Sequence, residues 1–459
     1  MVTITASHIV LPSQSTPQCH LWLSDMDQVV RQRHTPLVYI FKAKHDQDHI
    51  ERMKDSLSKI LVHYYPVAGR LSLAENGRVE INCNTKGAIL LEAETTKTMA
   101  DFGDFSPSDY TKQLVPTIDY TQPVGELPLL VVQLTRFNGD DEGLAVGVAW
   151  FHLLSDGLGC TRFINSWAKI ARGDILEPHE MPFLDRTLLK FSHPPLAPRF
   201  EHEELKPLPL IYGSSDCSVE RNKTVITTLL RLTPLQVEKL KKQANGDVPK
   251  GSRPYSRFEV IGAHIWRCAS KARHLDQNQP TVVRFNAENR NRMVPPLPRN
   301  YFGNALTQTE ATCNIGEITS KPLSHVAHKI REAIGVVNDE FIRSQIDVIR
   351  CQNHLDDARA LFLGGEGKNA HFGGNPNLHL TSWMSMPMYE ADFGWGKPVY
   401  FGLAYVPPHD RAVTLLSPYG DGSVTVLMFF QIAHMKLFKE FFYADISTCY
   451  GGILLSARL

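Results

Sequence analysis

Three kinds of sequence feature are missing from this chain. Its eight cysteines are scattered and form no CxxC pair, which favours free thiols in a reducing compartment over a disulfide framework or a zinc site. No apolar run approaches the roughly 20 residues that a transmembrane helix needs. Residues 1–15 lack the basic and apolar segments of a secretory signal. We therefore expect a cytoplasmic protein that is not embedded in a membrane.

A net charge is missing as well. The 48 Lys and Arg residues balance the 48 Asp and Glu residues. Without a strong positive field, we expect the protein to bind neither nucleic acid nor an anionic membrane surface. Ala457-Arg458-Leu459 loosely resembles a peroxisomal targeting tripeptide, and a peroxisomal location is the alternative to the cytoplasm.

Length and composition indicate two domains with ordinary cores. The chain has 459 residues, of which 43% are hydrophobic and 21% are charged. In the first half, apolar residues at helical spacing predict a helix over 49–62, and a second helical stripe covers 161–171. Continuous apolar runs predict buried strands over 127–134 and 144–151.

A proline-rich passage separates this half from the next. Residues 193–209 cannot form a long helix or a central strand, so we predict a crossover over 193–222. The crossover would join domains spanning 1–192 and 223–459. The second half again mixes strands with helices, including one long amphipathic helix over 326–350. Mixed elements in both halves predict an α/β fold.

The sharpest local motif is His152–Gly157 (HLLSDG), at the end of a predicted strand. Alternation along the strand places His152 on the same face as Val148 and Trp150. A histidine with an ordinary pKa of ~6.5 can accept a proton at neutral pH, which is what a general base does. On this spacing alone, a buried histidine hydrogen-bonded within the core is the alternative interpretation.

A second motif, Asp392–Gly396 (DFGWG), lies closer to the C-terminus and follows Thr381-Ser382-Trp383. Asp-Phe-Gly also occurs in protein kinases. This chain contains neither a His-Arg-Asp loop nor a Gly-x-Gly-x-x-Gly loop, so the kinase interpretation fails. Taken alone, the motif predicts a turn with a packed aromatic side chain.

Two other clusters resemble sites that we do not predict. His45-Asp46-Gln47-Asp48-His49 resembles a metal-ligand cluster, but acidic residues are also favoured at the start of the predicted helix. Gly364-Gly365-Glu366-Gly367-Lys368 resembles a phosphate loop, but Asn369 stands where such loops have Ser or Thr. We therefore expect no metal site, and a surface loop over 363–377.

The two motifs together resemble the signature of the BAHD acyltransferases, which carry HxxxD and DFGWG in this order. Further stretches that resemble the same family are Tyr65–Leu71, Asn289–Met293 and Pro296–Asn304. The resemblance covers nearly the whole chain. Within the family it is strongest to the hydroxycinnamoyl transferases, in particular those that act on spermidine, through His202–Leu210, Ser252–Arg273 and Phe285–Ala305.

This resemblance implies two chloramphenicol-acetyltransferase-like domains with mixed sheets, joined by a long crossover loop, with an active-site channel between them. It implies that His152 is the general base at the centre of the channel. Trp383 and Thr381 would donate hydrogen bonds to the oxyanion of the tetrahedral intermediate.

The resemblance also assigns supporting roles. Asp156 is expected to point away from the substrate and to pair with an arginine, for which Arg290 is the candidate and Arg292 the alternative. Asp392 is expected to be structural and far from the chemistry. A monomer that binds small molecules is expected.

A coenzyme A thioester is the expected co-substrate, and no bound cofactor is expected. Ser252, Arg253, Tyr255 and Arg257 match the segment with which the family meets coenzyme A, and positively charged groups there would suit its phosphates. A solvated loop that leads into the next element is the alternative interpretation of this segment.

The expected acceptor is a polyamine such as spermidine. Shikimate-using relatives carry an arginine before the Thr-Ser-Trp segment, whereas 361–410 contains no arginine here. Glu310, Glu366 and Glu390 are the candidates for holding a distal ammonium group of the polyamine. The alternatives are O-acyl transfer to shikimate, quinate or another alcohol, and a catalytically silent relative that binds a ligand in the same channel.

Overall fold

The computed structural model describes residues 1–43, 48–75, 77–139, 143–191, 194–249, 251–363, 372–405 and 410–447. The strands are β1 Val2–Val10, β2 His20–Trp22, β3 His34–Lys42, β4 Arg70–Leu73, β5 Val79–Asn82, β6 Ala88–Thr95, β7 Leu130–Arg136, β8 Gly143–Phe151, β9 Val225–Leu232, β10 Pro280–Glu288, β11 Leu306–Asn314, β12 Leu378–Ser382, β13 Tyr400–Leu403, β14 Arg411–Leu416 and β15 Val424–Gln431.

The helices alternate with these strands along the chain. They are α1 Asp25–Gln28, α2 His49–His63, α3 Gly157–Ala171, α4 Ser218–Arg221, α5 Pro234–Asn245, α6 Arg257–Arg273, α7 Ile315–Ser320, α8 Leu323–Gly335, α9 Asp339–Arg350, α10 Leu355–Leu363 and α11 Ile432–Ser447. None of these described helices combines the length and the apolar character that a membrane span requires.

Two mixed sheets organise the described part of the chain. The first has the strand order β1-β6-β7-β8-β3-β13 and the second has the order β11-β10-β12-β14-β15-β9, with six strands in each. Each sheet contains parallel and antiparallel neighbours, such as β6 beside β7 and β7 beside β8. The predicted α/β fold of two domains with mixed sheets is therefore confirmed.

Burial of both faces explains why β8 consists almost entirely of apolar residues and glycine. Every residue of Gly143–Phe151 is buried. One face packs into a core shared with α2 and α3, and the other meets a smaller aromatic cluster that contains Phe102 and Phe137. Such continuous apolar runs are typical of strands covered on both sides.

One strand from the second half of the chain joins the sheet of the first half. β13 pairs antiparallel with β3, with Tyr400 opposite Ile40. Phe393 of the DFGWG motif is buried against Trp167 of α3, with ring centroids 4.9 Å apart. The expected division into 1–192 and 223–459 is thus crossed by residues near 393–403.

The long helix predicted over 326–350 is wrong in one respect. The structure has two helices there, because α8 ends at Gly335 and α9 begins after Asn338. The Asn338 side chain accepts a hydrogen bond from the amide of Phe341 at 2.9 Å and caps α9. Apolar periodicity continues across this break, which is why the pattern alone did not separate the two helices.

Gly147 of β8 offers a test of this packing. An alanine Cβ there would lie 1.9 Å from the carbonyl oxygen of Leu114 and 2.8 Å from Cα of Val115, both backbone atoms. We expect Gly147→Ala to lower the free energy of unfolding by about 3 kcal/mol, the upper end of the usual cost of overpacking, because the backbone itself must shift. Urea denaturation measures this loss.

Gly335→Ala is the matched control, because nothing lies within 4 Å of a Cβ at that helix end. This variant should unfold at the wild-type urea concentration or slightly above it, since alanine favours the helix. Equal stability of both variants would contradict the close approach of β8 to 114–115.

Candidate active site

A cavity of about 830 Å³ lies between the two halves of the molecule. Its walls include the end of β8, the start of α3, strands β12 and β14, and the segment that leads into β3. The cavity brings together His152, Asp156, Thr381 and Trp383, although more than 220 positions separate the two pairs in the sequence.

His152 follows the last residue of β8 and lines this cavity. Its backbone is held on both sides: the amide donates to the Arg33 carbonyl at 3.3 Å, and its carbonyl accepts from Asn304 Nδ2 at 3.0 Å. Burial lowers the pKa of the His152 ring below its ordinary value of 6.5, and the nearby charge of Arg31 lowers this pKa further. The imidazole is therefore neutral at neutral pH and able to accept a proton.

Asp156 is held by a buried bidentate pair with Arg290. Arg290 Nη1 donates to Oδ2 at 2.8 Å and Nη2 donates to Oδ1 at 3.1 Å. The same carboxylate accepts from the amides of Gly159 at 3.0 Å and Ala305 at 3.1 Å. Asp156 thereby caps α3 at its N-terminus, and its described hydrogen bonds are made with Arg290 and with backbone amides. Arg292, the alternative partner, donates instead to the carbonyl of Val337 at 2.7 Å.

A second buried network, which the sequence reasoning missed, supports the His152 turn. Asp27 and Arg186 form an ion pair at 3.1 Å with both side chains fully buried. Arg186 also donates to the carbonyls of Leu153 and Leu154, at 3.1 and 2.6 Å. Asp27 accepts from the backbone amide and the side chain of Asn304, both at 2.8 Å. The Ser24-x-x-Asp27 pattern predicts the helix cap that forms at α1, but nothing local predicts Arg186 as a partner.

Thr381 and Trp383 stand at the end of β12 and line the cavity with His152. The Trp383 amide donates to the Thr414 carbonyl at 2.8 Å, which ties this segment to β14. Trp383 Nε1 lies close to the turn after His152, 3.8 Å from where a Cβ on Gly157 would be. An indole N–H and a hydroxyl thus face the same space as the histidine.

Asp392 lies in a tight turn on the far side of α3. Its Oδ1 accepts from the amides of Gly394 at 2.8 Å and Gly396 at 2.9 Å, and its carbonyl accepts from Arg172. Both glycines have positive φ angles, 96° and 83°, which explains why the turn needs glycine. Asp392 is absent from the described lining of the cavity.

The expected coenzyme A segment forms a surface at the start of α6. Arg253 pairs with Glu259 at 2.8 Å but leaves 65% of its side chain exposed. Arg331 lies over the ring of Tyr255, with its guanidinium 3.9 Å from the ring centroid. Ser252 and Arg257 flank these residues, and none of the four belongs to the described cavity lining.

The glutamates expected to bind a polyamine do not line the described cavity. Glu310 is paired with Arg284 at 2.7 Å, and only 12% of its side chain is exposed. Glu390 lies on the surface, paired with Lys397 at 2.8 Å. Glu366, Lys368 and most of the loop expected over 363–377 lie outside the described residues. Since neither described glutamate faces the cavity, we do not retain them as acceptor ligands.

The charge of the cavity is the opposite of what a polyamine requires. Arginines from both halves contribute to the described lining, and they are Arg31, Arg33, Arg221, Arg284 and Arg411. Asp156 is the one carboxylate of that described lining, and Arg290 already pairs with it. The sequence argument considered arginines only within 361–410, and this window ends one residue before Arg411.

Elsewhere in the described structure, three side chains of the kinds that can bind a metal ion lie close together. The ligand atoms of Cys313, Glu317 and His325 lie within 4.8 Å of one another. Lys321 Nζ lies 2.7 Å from the same Glu317 carboxylate, so a positive charge already occupies its vicinity. We interpret this cluster as an ion-pair network. Most of the His45–His49 cluster lies outside the described residues, and His49 packs against Trp395 at 5.1 Å.

Comparison with known proteins identifies the family. The sequence model of the Transferase family matches residues 1–445. The chain belongs to this family, the BAHD acyltransferases. It is an acyl-CoA-dependent acyltransferase.

Its relatives align along almost their entire length. The chain is 43% identical to hydroxycinnamoyl-CoA:piscidic acid hydroxycinnamoyltransferase of Actaea racemosa, covering 97% of this chain and 100% of that protein. It is 36% identical to shikimate O-hydroxycinnamoyltransferase of Nicotiana tabacum, with 96% and 99% covered. It is also 36% identical to a hydroxycinnamoyl-CoA:5-hydroxyanthranilate N-hydroxycinnamoyltransferase of Avena sativa, with 96% and 98% covered.

Solved structures share the fold. Vinorine synthase superposes with a TM-score of 0.71 at 22% identity, covering 95% of this chain and 96% of that one. TRI101 of F. graminearum, complexed with coenzyme A and deoxynivalenol, superposes with a TM-score of 0.74 at 17% identity, covering 92% and 97%. At these identities the likeness shows the fold alone.

The Asp156–Arg290 pair generates a stability prediction. Asp156→Asn removes the charge of the carboxylate that pairs bidentately with the buried Arg290 and leaves Glu288, at 2.9 Å, as the remaining counterion, which costs up to about 3–5 kcal/mol. We expect a matching loss in the free energy of unfolding, measured by urea denaturation. Asp55→Asn is the control, because Asp55 pairs with Lys59 on the surface and should change stability by less than about 1 kcal/mol. A wild-type unfolding curve for Asp156→Asn would contradict this role.

Proposed function

We propose that the protein transfers a hydroxycinnamoyl group from coenzyme A to a hydroxyl or aromatic amino group of a small organic acid. The single observation that carries this proposal is the arginine-lined cavity beside His152. A carboxylate is the natural partner of a guanidinium. The names of the three relatives support the hydroxycinnamoyl group, and each name includes an acid or its anion as the acceptor.

The cavity also argues against an aliphatic amine acceptor. At neutral pH an amine with a pKa of ~10.4 is protonated in all but about one in a thousand molecules. The lining arginines would repel this ammonium group. We therefore replace the polyamine expected from the sequence by an acid that carries a hydroxyl or aromatic amine.

In the proposed mechanism, His152 Nε2 accepts the proton of the attacking hydroxyl or amine. The attacking atom bonds to the thioester carbonyl carbon, and the carbonyl oxygen becomes an oxyanion. The Trp383 indole N–H and the Thr381 hydroxyl donate hydrogen bonds to it, each worth about 3–4 kcal/mol. The carbonyl then re-forms, the C–S bond breaks, and the coenzyme A sulfur leaves as a thiol with the proton from His152.

The mechanism predicts a slow His152→Ala variant. Loss of the general base should lower the rate of transfer by about 10²–10⁴-fold, while thermal unfolding stays near that of the wild type. Because burial lowers the pKa of His152, the midpoint of the acid limb of the wild-type kcat/KM profile should lie below pH 6.5. The rate of thioester consumption over pH 4.5–8 measures the loss of rate in the variant and the position of the wild-type acid limb. An acid limb that persists unchanged in His152→Ala would assign the titration to another group.

Competition among acceptors tests the proposed function. Equal concentrations of shikimate, 5-hydroxyanthranilate and spermidine are offered together with p-coumaroyl-CoA, and the products are weighed by mass spectrometry. A charge-assisted hydrogen bond worth about 1.5–3 kcal/mol favours the acids over spermidine by roughly 10- to 100-fold.

Each other result of this competition has a distinct meaning. Spermidine amide as the main product would overturn the organic-acid acceptor and leave acyl transfer intact. A thioester that is consumed no faster than with His152→Ala, whichever acceptor is offered, would identify a catalytically silent relative.

A further inference from the structure

Two carboxamide side chains stand side by side on one wall of the cavity. Asn286 of β10 lies opposite Gln308 of β11 in the antiparallel pair of these strands, and both line the cavity. Gln308 is only 7% exposed, yet its Oε1 accepts no hydrogen bond from any described residue. Its Nε2 donates to the Phe362 carbonyl at 3.5 Å. A buried polar atom nearly always has a partner in a folded protein, so a donor on the substrate is the expected partner of this oxygen.

The hydrogen-bond pattern of β11 brings the two side chains close together. The backbone amide of Gln308 donates to Gln345 Oε1 at 3.2 Å, and Gln345 Nε2 donates to the Gln308 carbonyl at 3.0 Å. Both backbone groups thus point away from β10. Asn286 and Gln308 are therefore a non-hydrogen-bonded pair, the kind in which facing Cβ atoms approach to about 4.5–5.5 Å. At this separation both carboxamides can bind the same small group.

Buried contacts hold Gln308 by its backbone. β11 is an edge strand of the second sheet, and the Gln345 side chain takes the place of a neighbouring strand. Gln345 Nε2 also donates to Glu204 Oε1 at 2.6 Å, and His202 Nδ1 lies 2.6 Å from this same oxygen. All three supporting side chains are buried. The backbone of Gln308 is therefore fixed by neighbouring protein groups, and its Oε1 remains available to a ligand.

The register of the second sheet places this pair level with Thr381. β10 runs parallel to β12, with Phe285 opposite Leu380. The next residues, Asn286 and Thr381, therefore lie side by side, and both line the cavity. Since neighbouring strands are about 4.8 Å apart, Asn286 is one strand and Gln308 two strands, or about 10 Å, from the proposed oxyanion donor. A substrate built on one six-membered ring is long enough to reach from the reacting carbonyl to Gln308.

The character of the walls favours the acceptor as the ligand of this pair. Arg284 lies two residues before Asn286 on the same face of β10, so the wall around the carboxamides is polar. Leu37 of β3 and Leu403 of β13 line the cavity from the first sheet. Their apolar side chains suit the aromatic acyl group, whereas the polar wall suits an organic acid.

We propose that Asn286 and Gln308 form an acceptor subsite that binds a second hydroxyl group of the acceptor, remote from the group that is acylated. The hydroxyl donates to Gln308 Oε1 and accepts from Asn286 Nδ2, because a hydroxyl is both a donor and an acceptor. A carboxylate cannot donate to Gln308, and an ammonium group cannot accept from Asn286. This inference rests on the proposed function and narrows its acceptor class to organic acids that carry a hydroxyl besides the acylated group.

Two matched pairs of acceptors test the subsite with the wild-type enzyme. 5-Hydroxyanthranilate and anthranilate differ by one ring hydroxyl and present an amine, whereas 4-hydroxymandelate and mandelate differ in the same way and present an alcohol. With p-coumaroyl-CoA, we expect kcat/KM for the hydroxylated member of at least one pair to exceed that for its partner by about 3- to 10-fold. Isothermal titration calorimetry with coenzyme A present makes the same comparison for acceptors that bind without being acylated.

Substitutions locate the hydroxyl at the two carboxamides. Gln308→Leu and Asn286→Ala should each lower kcat/KM for the hydroxylated member by about 3- to 10-fold more than for its partner. Leucine keeps roughly the volume of glutamine and leaves the backbone contacts of Gln308 with Gln345 in place. The control is Gln243→Leu, at an exposed position of α5 outside the described cavity lining, which should leave the preference unchanged.

The failures can be told apart. A wild-type enzyme that prefers neither hydroxylated acid, by rate or by affinity, would overturn the subsite and leave the organic-acid function to its own competition test. If Gln308→Leu instead changes the preference for p-coumaroyl-CoA over cinnamoyl-CoA, which lacks the ring hydroxyl, the carboxamides bind the acyl group and the acceptor subsite is wrong. Conversion of spermidine with no conversion of any acid would overturn the proposed function itself.

Discussion

The buried ion pair between Asp156 and Arg290 is the contact on which the active site depends. Asp156 belongs to the first half of the chain and Arg290 to the second, and their bidentate hydrogen bonds join the halves directly behind the catalytic turn. Because the same carboxylate caps α3, the pair fixes where the helix begins and where β8 must end. The Asp27–Arg186 pair and Asn304 then hold the backbone of 152–154 from the other side. His152 is oriented by its backbone, which leaves its ring available to a substrate.

The charged side chains in and around the cavity fall into two groups. The Asp156–Arg290 pair joins the two halves, and Arg290 also pairs with Glu288 at 2.9 Å. The cavity wall contains arginines whose charges act on one another and on His152. Burial lowers the pKa of the His152 ring and the charge of Arg31 also lowers it, whereas the carboxylate of Asp156 raises it; the net pKa lies below the ordinary value of 6.5. A cationic substrate would meet repulsion at the point where a carboxylate meets attraction.

Local sequence signals predicted the catalytic strand, the turn and the α/β fold, because each arises from neighbouring residues. The apolar run of β8, the histidine at its end and the glycines after Asp156 form one continuous segment. The acceptor side could not be predicted in this way. Arg31 and Arg411 are 380 positions apart, and only the crossing of β13 onto β3 and the parallel pairing of β12 with β14 bring their segments to one wall. The search for an arginine was confined to one stretch of sequence, whereas the described cavity lining takes its arginines from other segments.

The acceptor side of the cavity and the turn that carries His152 are built from different segments, so one fold can serve different acceptors. His152, Asp156 and Arg290 lie where the two halves touch, and the hydrogen bonds between Asp156 and Arg290 join those halves. Arg31 lies in the connection before β3, and Arg411 begins a strand that pairs with its neighbours through the backbone. If the protein acts as proposed, the acceptor is selected by cavity-lining positions in these segments, whereas the proton transfer depends on the turn that Asp156 and Arg290 hold in place.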